Sequence, residues 1–488
     1  MLRVSPRTVL RVLASQRRQL RSGAAGEVGR RYDWSKPPTP SSRAAIDEDD
    51  EYEDYYEDED DEGGSDSTSF IGRLPRRLRR GEDIKLVEMP PALDAALEQH
   101  TVPRIRSMFR SLKRARKLGN ARADEERLPT VDDFAAYRLD RTYAACHRVL
   151  HEASCRIPDF EPKAVLDFGA YLGSGTWAAH TVFPPPSDAV ALRTFTAVEP
   201  NRRMREAGYE LSDAALPDGG PSIAWRSELP PLAAEHHRET RYDLVIAPYS
   251  LSSLPADGVT RTLEALWERT AVGGVLAVID SVTPASVAML RIARKALREG
   301  GLPGARLVAP FPHDGIATTT VFGNETGGAE PFPMKAFQKS FRKGATLELT
   351  QSVLESEAAR AYGKRVDPTR NGNERRKRRE TFGYLLAVKQ HDGDAEPPDP
   401  LDKMWGSLPF CRILGVPRKR TRHVLLDVLT PSGELRTFTV SRAKAHRRDY
   451  RYVRKLREGC TLPMAVLEGA GTEQNWKDGW TEVDEQHD

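Results

Sequence analysis

The chain has 488 residues, 39% hydrophobic and 30% charged, which leaves room for two or three domains and a large polar remainder. No apolar run approaches the ~20 residues of a membrane-spanning helix, and the four cysteines (Cys146, Cys155, Cys411, Cys460) are scattered without a Cys-x-x-Cys pair, which argues against a disulfide scaffold or a tetrahedral zinc site. The net charge of +3 hides a segregation: residues 1–46 carry +8, Asp47 to Asp66 holds 14 acidic residues and no basic one, and the rest of the chain carries +9.

Residues 1–31 are Arg-rich, acid-poor and amphipathic, with Arg3, Arg7, Arg11, Arg17 and Arg18 interleaved with Leu2, Val9, Leu10 and Leu13. That composition predicts a mitochondrial or plastid transit peptide; a basic tail for nucleic acid is the alternative. Residues 32–72 contain the acidic block, which repels itself and reads as disordered. Residues 73–156 form a basic, partly helical extension. Arg110, Lys113, Arg114 and Lys117 give it the cation density that phosphate contact requires. His147 and His151 stand at i, i+4, but no metalloprotease carboxylate follows them, so no metal site is expected.

Residues 157–390 read as an α/β domain. Ala164 to Phe168 is a short buried strand, broken by Gly169, Gly173 and Gly175 and followed from Thr176 by helix-forming residues. A strand, a glycine turn and a helix begin the nucleotide site of a doubly wound sheet, because glycines admit a ligand and the helix start offers free N–H groups. Phe195 to Val198 is a second strand ending at Glu199, placed to hydrogen-bond ribose hydroxyls; Ile223 to Arg226 is a short third. Tyr242 to Ala247 is a buried parallel strand. Its following loop offers Tyr249, Ser250, Ser252 and Ser253 but no evident general base, so no catalytic residue is assigned. A helix over 256–271, a strand from Val275 to Ile279 and a helix over 284–299 follow. An insertion over 307–380 then precedes a late strand from Thr381 to Val388. Arg375, Arg376 and Arg378 sit in its last run, read as a loop or helix start that contacts RNA.

Residues 391–403 are a linker, and residues 404–470 a small basic β domain before a tail over 471–488. Cys411 to Leu414, His423 to Leu429 and Leu435 to Val440 are its strands. Arg418, Lys419 and Arg420 precede the second, and eight Lys/Arg lie between Arg442 and Arg457, including Arg447, Arg448 and Arg451. Tyr450 and Tyr452 interleave with them, as suits RNA whose bases stack.

The turn Asp167-Phe-Gly-Ala-Tyr-Leu-Gly-Ser-Gly175 resembles the first motif of class I S-adenosylmethionine methyltransferases, Asp-x-Gly-x-Gly-x-Gly, with Tyr171 at the second glycine. The order of motifs resembles the methyltransferase-like family of the mitochondrial ribosomal small subunit. Five pieces carry it: Asp140-Arg-Thr-Tyr-Ala-Ala145, Val165 to Ala179, Asp243 to Pro255, Pro310 to Gly315 (Pro-Phe-Pro-His-Asp-Gly), and Arg418-Lys-Arg to Thr430. The resemblance implies a class I, Rossmann-like fold in a matrix protein. It implies as partners the small-subunit rRNA, ribosomal proteins and assembly factors, with a role in translation as an assembly factor or lasting component on an inactive scaffold. The alternatives are an active S-adenosylmethionine-dependent rRNA methyltransferase, or a matrix protein that binds another partner. On the active reading the cofactor would rest on Asp167, Gly169, Tyr171, Gly173, Gly175, Glu199, Ala247 and Tyr249. Family members also carry four cysteines for an iron–sulfur cluster. Here Phe311, Ala317 and Leu429 stand at three of those places and no cysteine lies between 156 and 410, so the cluster is expected to be absent.

Overall fold

A computed structural model describes residues 86–117, 130–157, 160–184, 194–216, 222–232, 241–298, 301–310, 348–366, 375–390, 410–414, 417–430, 435–464, 466–467 and 471–474. Residues 1–31, read as a transit peptide, the acidic block and most of the Pro-Phe-Pro-His-Asp-Gly motif lie outside them.

Three helices come first: α1 (Pro91–Lys117), α2 (Val131–Tyr137) and α3 (Leu139–Arg156). Thr130 starts α2 with a capping box: its side chain accepts from Asp133 N, and the Asp133 carboxylate accepts from Thr130 N. The main sheet follows: β1 (Ala164–Phe168), α4 (Ser174–Val182), β2 (Thr194–Val198), α5 (Arg202–Ala215), β3 (Ser222–Arg226), β4 (Tyr242–Pro248), α6 (Ala256–Arg269), β5 (Thr270–Ser281), α7 (Pro284–Arg298), β6 (Ala305–Ala309), β7 (Glu348–Leu354), α8 (Glu357–Val366) and β8 (Lys377–Lys389). Its order is β3-β2-β1-β4-β5-β8-β6, with β7 also on β8. The first five strands run parallel, and β8 is antiparallel to β5, β6 and β7. This is a class I methyltransferase-like doubly wound sheet, and its order reverses between β1 and β4.

Parallel strands bury both faces, which is why these segments read as apolar runs rather than alternating ones. Side chains alternate between two cores. Val165, Leu244, Ile246, Val275 and Ala277 pack toward α1 to α5, while Leu166, Val245, Ala247, Leu276 and Val278 pack toward α6 and α7. Each fully buried Leu, Ile or Val contributes roughly 1.5–3 kcal/mol.

Two parts of the stretch read as an insertion, β6 and β7, are strands of this sheet, and Lys377 to Glu380 belong to β8 rather than to a loop or helix start. The reason lies in pairing: β8 is long enough to take β7 along its first half and β6 along its second.

The C-terminal unit is a second, antiparallel sheet of β9 (Phe410–Ile413), β10 (Arg418–Lys419), β11 (His423–Leu429), β12 (Leu435–Ser441), β13 (Thr461–Pro463) and β14 (Gly471–Gln474), with α9 (Arg447–Lys455) after β12. It docks through a buried charge cluster. Glu152 of α3 accepts from Tyr384 Oη at 2.5 Å and pairs with Arg156 (2.8 Å) and with Arg412 of β9; Arg412 also donates to Gly459 O at 2.5 Å. Burial alone would raise the Glu152 carboxyl, but Arg412, Arg156 and Arg148 together bring it down to about 2.

His147 and His151 stack along α3 at 6.4 Å. Burial, then the neighbouring positive charges, lower both imidazoles from 6.5 to about 4. The unfolded chain therefore takes up protons below pH 6.5 while the folded state stays neutral until about 4. This pair withdraws stability as pH falls through that window. In acid denaturation series, a His147→Leu, His151→Leu double variant is expected to lose stability less steeply than the parent between those limits.

Candidate functional site

The carboxyl ends of β1 and β4 flank the point where the sheet order reverses, the crevice where open α/β sheets bind ligands. Asp167, near the end of β1, turns toward α4. Its Oδ2 accepts from Thr176 N (2.8 Å) and Thr176 Oγ1 (3.0 Å). A Cβ on Gly175 would stand 2.8 Å from Asp167 Oδ1, so the glycine is what lets the helix start this close. Burial pushes the Asp167 carboxyl up to about 6, against the hydrogen bonds that lower it. Asp167 thus anchors the turn from inside.

Gly169 and Gly173 take left-handed backbone, with φ of +74° and +87°. A Cβ on Gly169 would lie 2.4 Å from Ser250 Cβ, so the glycine admits the neighbouring β4 loop. Tyr171 stands between them with φ +52°, and Tyr249 in the β4 loop has φ +51°. They are the non-glycine residues with positive φ among those described. Each costs on the order of 1–3 kcal/mol and persists where its surroundings over-determine it.

Those surroundings are explicit. The Tyr171 ring stacks on Phe134 of α2 at 4.7 Å and 10°. Its Oη donates to Tyr249 O at 3.4 Å and its backbone N donates to Glu199 Oε2 at 3.0 Å. Glu199 Oε1 accepts from Asn201 N at 2.7 Å, so both carboxylate oxygens hold backbone N–H groups. Tyr249 Oη donates to Glu380 Oε1 at 2.9 Å; Arg138 pairs with Glu380 at 3.2 Å and lies over the Tyr249 ring at 4.9 Å. Ala247 is fully buried within the sheet.

Burial, then Glu199 and Asp280, push the Tyr171 phenol up to about 12. Burial and Glu380 push Tyr249 well above its usual range. Neither phenol can accept a proton near neutral pH. Where the turn would seat S-adenosylmethionine, Tyr171 stacks on Phe134, Ser250 lies against Gly169, and Glu199 holds the Tyr171 and Asn201 backbone N–H groups.

The basic candidates divide. Arg375 pairs with Asp94 (2.7 Å) and Glu357 (2.6 Å). Arg378 pairs with Asp140 at 2.9 Å and donates to the Ala136 and Tyr137 carbonyls. Both are ion-paired within the protein, Arg378 largely covered and Arg375 with about a third of its side chain exposed (34%), where sequence density suggested an RNA surface. Arg376 is exposed beside them. Arg418 pairs with Asp427. Lys419, Arg420 and Arg422 are exposed around an open cleft with Thr421 and His423. Arg442 N bonds Arg422 O, which brings the approach to α9 beside them. Arg447 and Arg451 are exposed on α9, Arg448 is half-buried, and Arg110 is exposed on α1. Lys113, Arg114 and Lys117 lie on α1, with side chains outside the described residues. Tyr450 packs into the C-terminal core and Tyr452 lies partly buried against it, so this face offers cations rather than the stacking aromatics expected. Among the described residues no group of His, Cys, Asp or Glu is arranged to hold a metal ion, and no helix is long and apolar enough to cross a membrane.

Sequence reasoning missed Phe134, Arg138 and Glu380. Glu380 directly precedes the late strand as it was read, at Thr381, and an acid at a strand start was the signal available. Phe134 gives no local signal.

Solved structures similar to the chain include the plantazolicin methyltransferase BpumL in complex with SAH (11% identity, covering 59% of this chain and 99% of that one, TM-score 0.30). A precorrin-6y C5,15-methyltransferase from Geobacter metallireducens is another (9%, 50% and 88%, TM-score 0.27). The fold rests on the topology above, not on likenesses of this size. In sequence, the human "Ribosome assembly protein METTL17, mitochondrial" is 31% identical over 192 residues, 37% of this chain and 39% of the relative. The "Rsm22-cox11 tandem protein 2, mitochondrial" of Schizosaccharomyces pombe is 24% identical over 352 residues, 69% of this chain and 43% of the relative. The chain thus aligns with about two fifths of the length of these relatives. Residues 130–323 match the sequence model of the family described as "Mitochondrial small ribosomal subunit Rsm22". Over these stretches the chain is similar to the mitochondrial Rsm22 and METTL17 methyltransferase-like proteins.

Proposed function

We propose that this protein serves assembly of the mitochondrial small ribosomal subunit, in the matrix, by gripping ribosomal RNA on a methyltransferase-like scaffold that transfers no methyl group. One observation carries the reading: the groups at the ligand end of the sheet are committed to one another, while cations of the C-terminal unit face outward. Exposed Arg and Lys in this number supply phosphate contacts and the salt dependence that goes with them. The named role of the human relative, ribosome assembly, supports the assignment, and the Arg-rich leader supports a mitochondrial address. The reading needs no iron–sulfur cluster, since no cysteine lies between 156 and 410. The rival, an active rRNA methyltransferase, is favoured by the left-handed turn at Gly169 and Gly173. Sedimentation of the protein with the small-subunit particle, with and without RNase, tests the proposal.

A further inference from the structure

We infer that Tyr171 is a built-in plug: its side chain closes the crevice between the β1 and β4 turns, clasped by Phe134, so the scaffold excludes S-adenosylmethionine by its own aromatic packing. The inference deepens the reading of an inactive scaffold and rests on it, yet the two fail separately.

Ligands enter an open α/β sheet where the strand order reverses, here between β1 and β4. Tyr171 leaves the β1 turn and reaches the β4 turn, where its Oη meets Tyr249 O at 3.4 Å. The ring therefore bridges the crevice. Phe134, stacked on it at 4.7 Å, comes from α2, outside the β1-to-β8 sheet region, so the N-terminal helices seal the opening. Under the ring the two turns already touch, because Ser250 fills the space beside Gly169. Nearby, Asp280 is buried and accepts from Ser281 N (2.7 Å) and Ser286 Oγ (2.8 Å), and Ser250 Oγ is buried without a hydrogen-bond partner among the described residues. A glycine at 171 would keep the left-handed turn without strain, remove the bridge and uncover acceptors able to meet a cationic amino group.

The test is calorimetric titration of the full-length protein with S-adenosylmethionine and with S-adenosylhomocysteine. The parent is expected to show no saturable binding, and Tyr171→Gly to bind at least about tenfold more tightly than the parent. Tyr171→Phe keeps the ring and is expected to stay closed. Phe134→Ala, which leaves the β1 turn intact, is expected to gain ligand-dependent thermal stabilisation, so the result does not hang on one variant folding. Saturable binding by the parent equal to that of Tyr171→Gly overturns the inference, as does failure of both folded opening variants to gain binding. Either outcome leaves RNA binding and particle association to be judged separately.

Discussion

Glu152→Ala is expected to cost about 3–5 kcal/mol of stability, among the largest effects of any single substitution in this chain. Glu152 is fully buried and pairs with both Arg156 and Arg412, themselves 2% and 0% exposed. Removing it strands two guanidinium groups where water cannot reach them, and takes the acceptor from Tyr384 Oη. Arg412 belongs to β9, Glu152 to α3 and Tyr384 to β8, so the loss falls on the joint between the two sheets. Gly459 tightens that joint: it has φ +81°, and a Cβ there would meet Leu349 of β7 at 2.1 Å. Glu152→Gln keeps an acceptor for Tyr384 and is expected to lose less. The acid limit follows with its sign: the folded carboxyl lies near 2 against 4.5 unfolded, so its contribution is present above 4.5 and drains away as pH falls toward 2. Denaturant unfolding of parent and variants checks this; a loss below about 1 kcal/mol for Glu152→Ala would make the cluster incidental.

The second large effect separates surface cations from structural ones. Arg447→Ala with Arg451→Ala is expected to lower the slope of log affinity for small-subunit rRNA against log salt by about 2, one per lost phosphate contact. Arg375→Ala with Arg378→Ala is expected to leave that slope unchanged and to cost on the order of 3 kcal/mol of stability, because Asp140 is fully buried and loses its ion pair. Filter binding across a salt series and unfolding of the same variants read both quantities. A slope that moves with Arg378 and not with Arg447 would reverse the assignment of the two basic clusters.

The contrast shows what the chain announces locally. Val165 to Phe168, Phe195 to Val198 and Tyr242 to Ala247 are visible as strands because both faces are buried and the residues are nearly all apolar. Asp167, Gly169, Gly173 and Glu199 are visible because a strand, a turn and a helix must meet there. What stays hidden is long-range. Arg378 meets Asp140 across 238 positions and Tyr249 meets Glu380 across 131, so a dense basic run looks the same whether it faces RNA or a buried carboxylate. Tyr171 was legible as a misfit at a glycine position; its partner Phe134 was not, since an aromatic in a helix carries no sign of what it stacks on. Likewise β6 and β7 were passed over because each acquires its strand identity by pairing with β8.

On the proposed reading, this scaffold works by holding ribosomal RNA during small-subunit assembly. Its most direct test is gradient sedimentation of the tagged protein from mitochondrial lysate, followed by blotting of fractions with and without RNase. Comigration with a small-subunit particle is expected, lost on RNase treatment and weakened when Arg447 and Arg451 are both replaced by alanine. Migration as a free monomer in both conditions would contradict it.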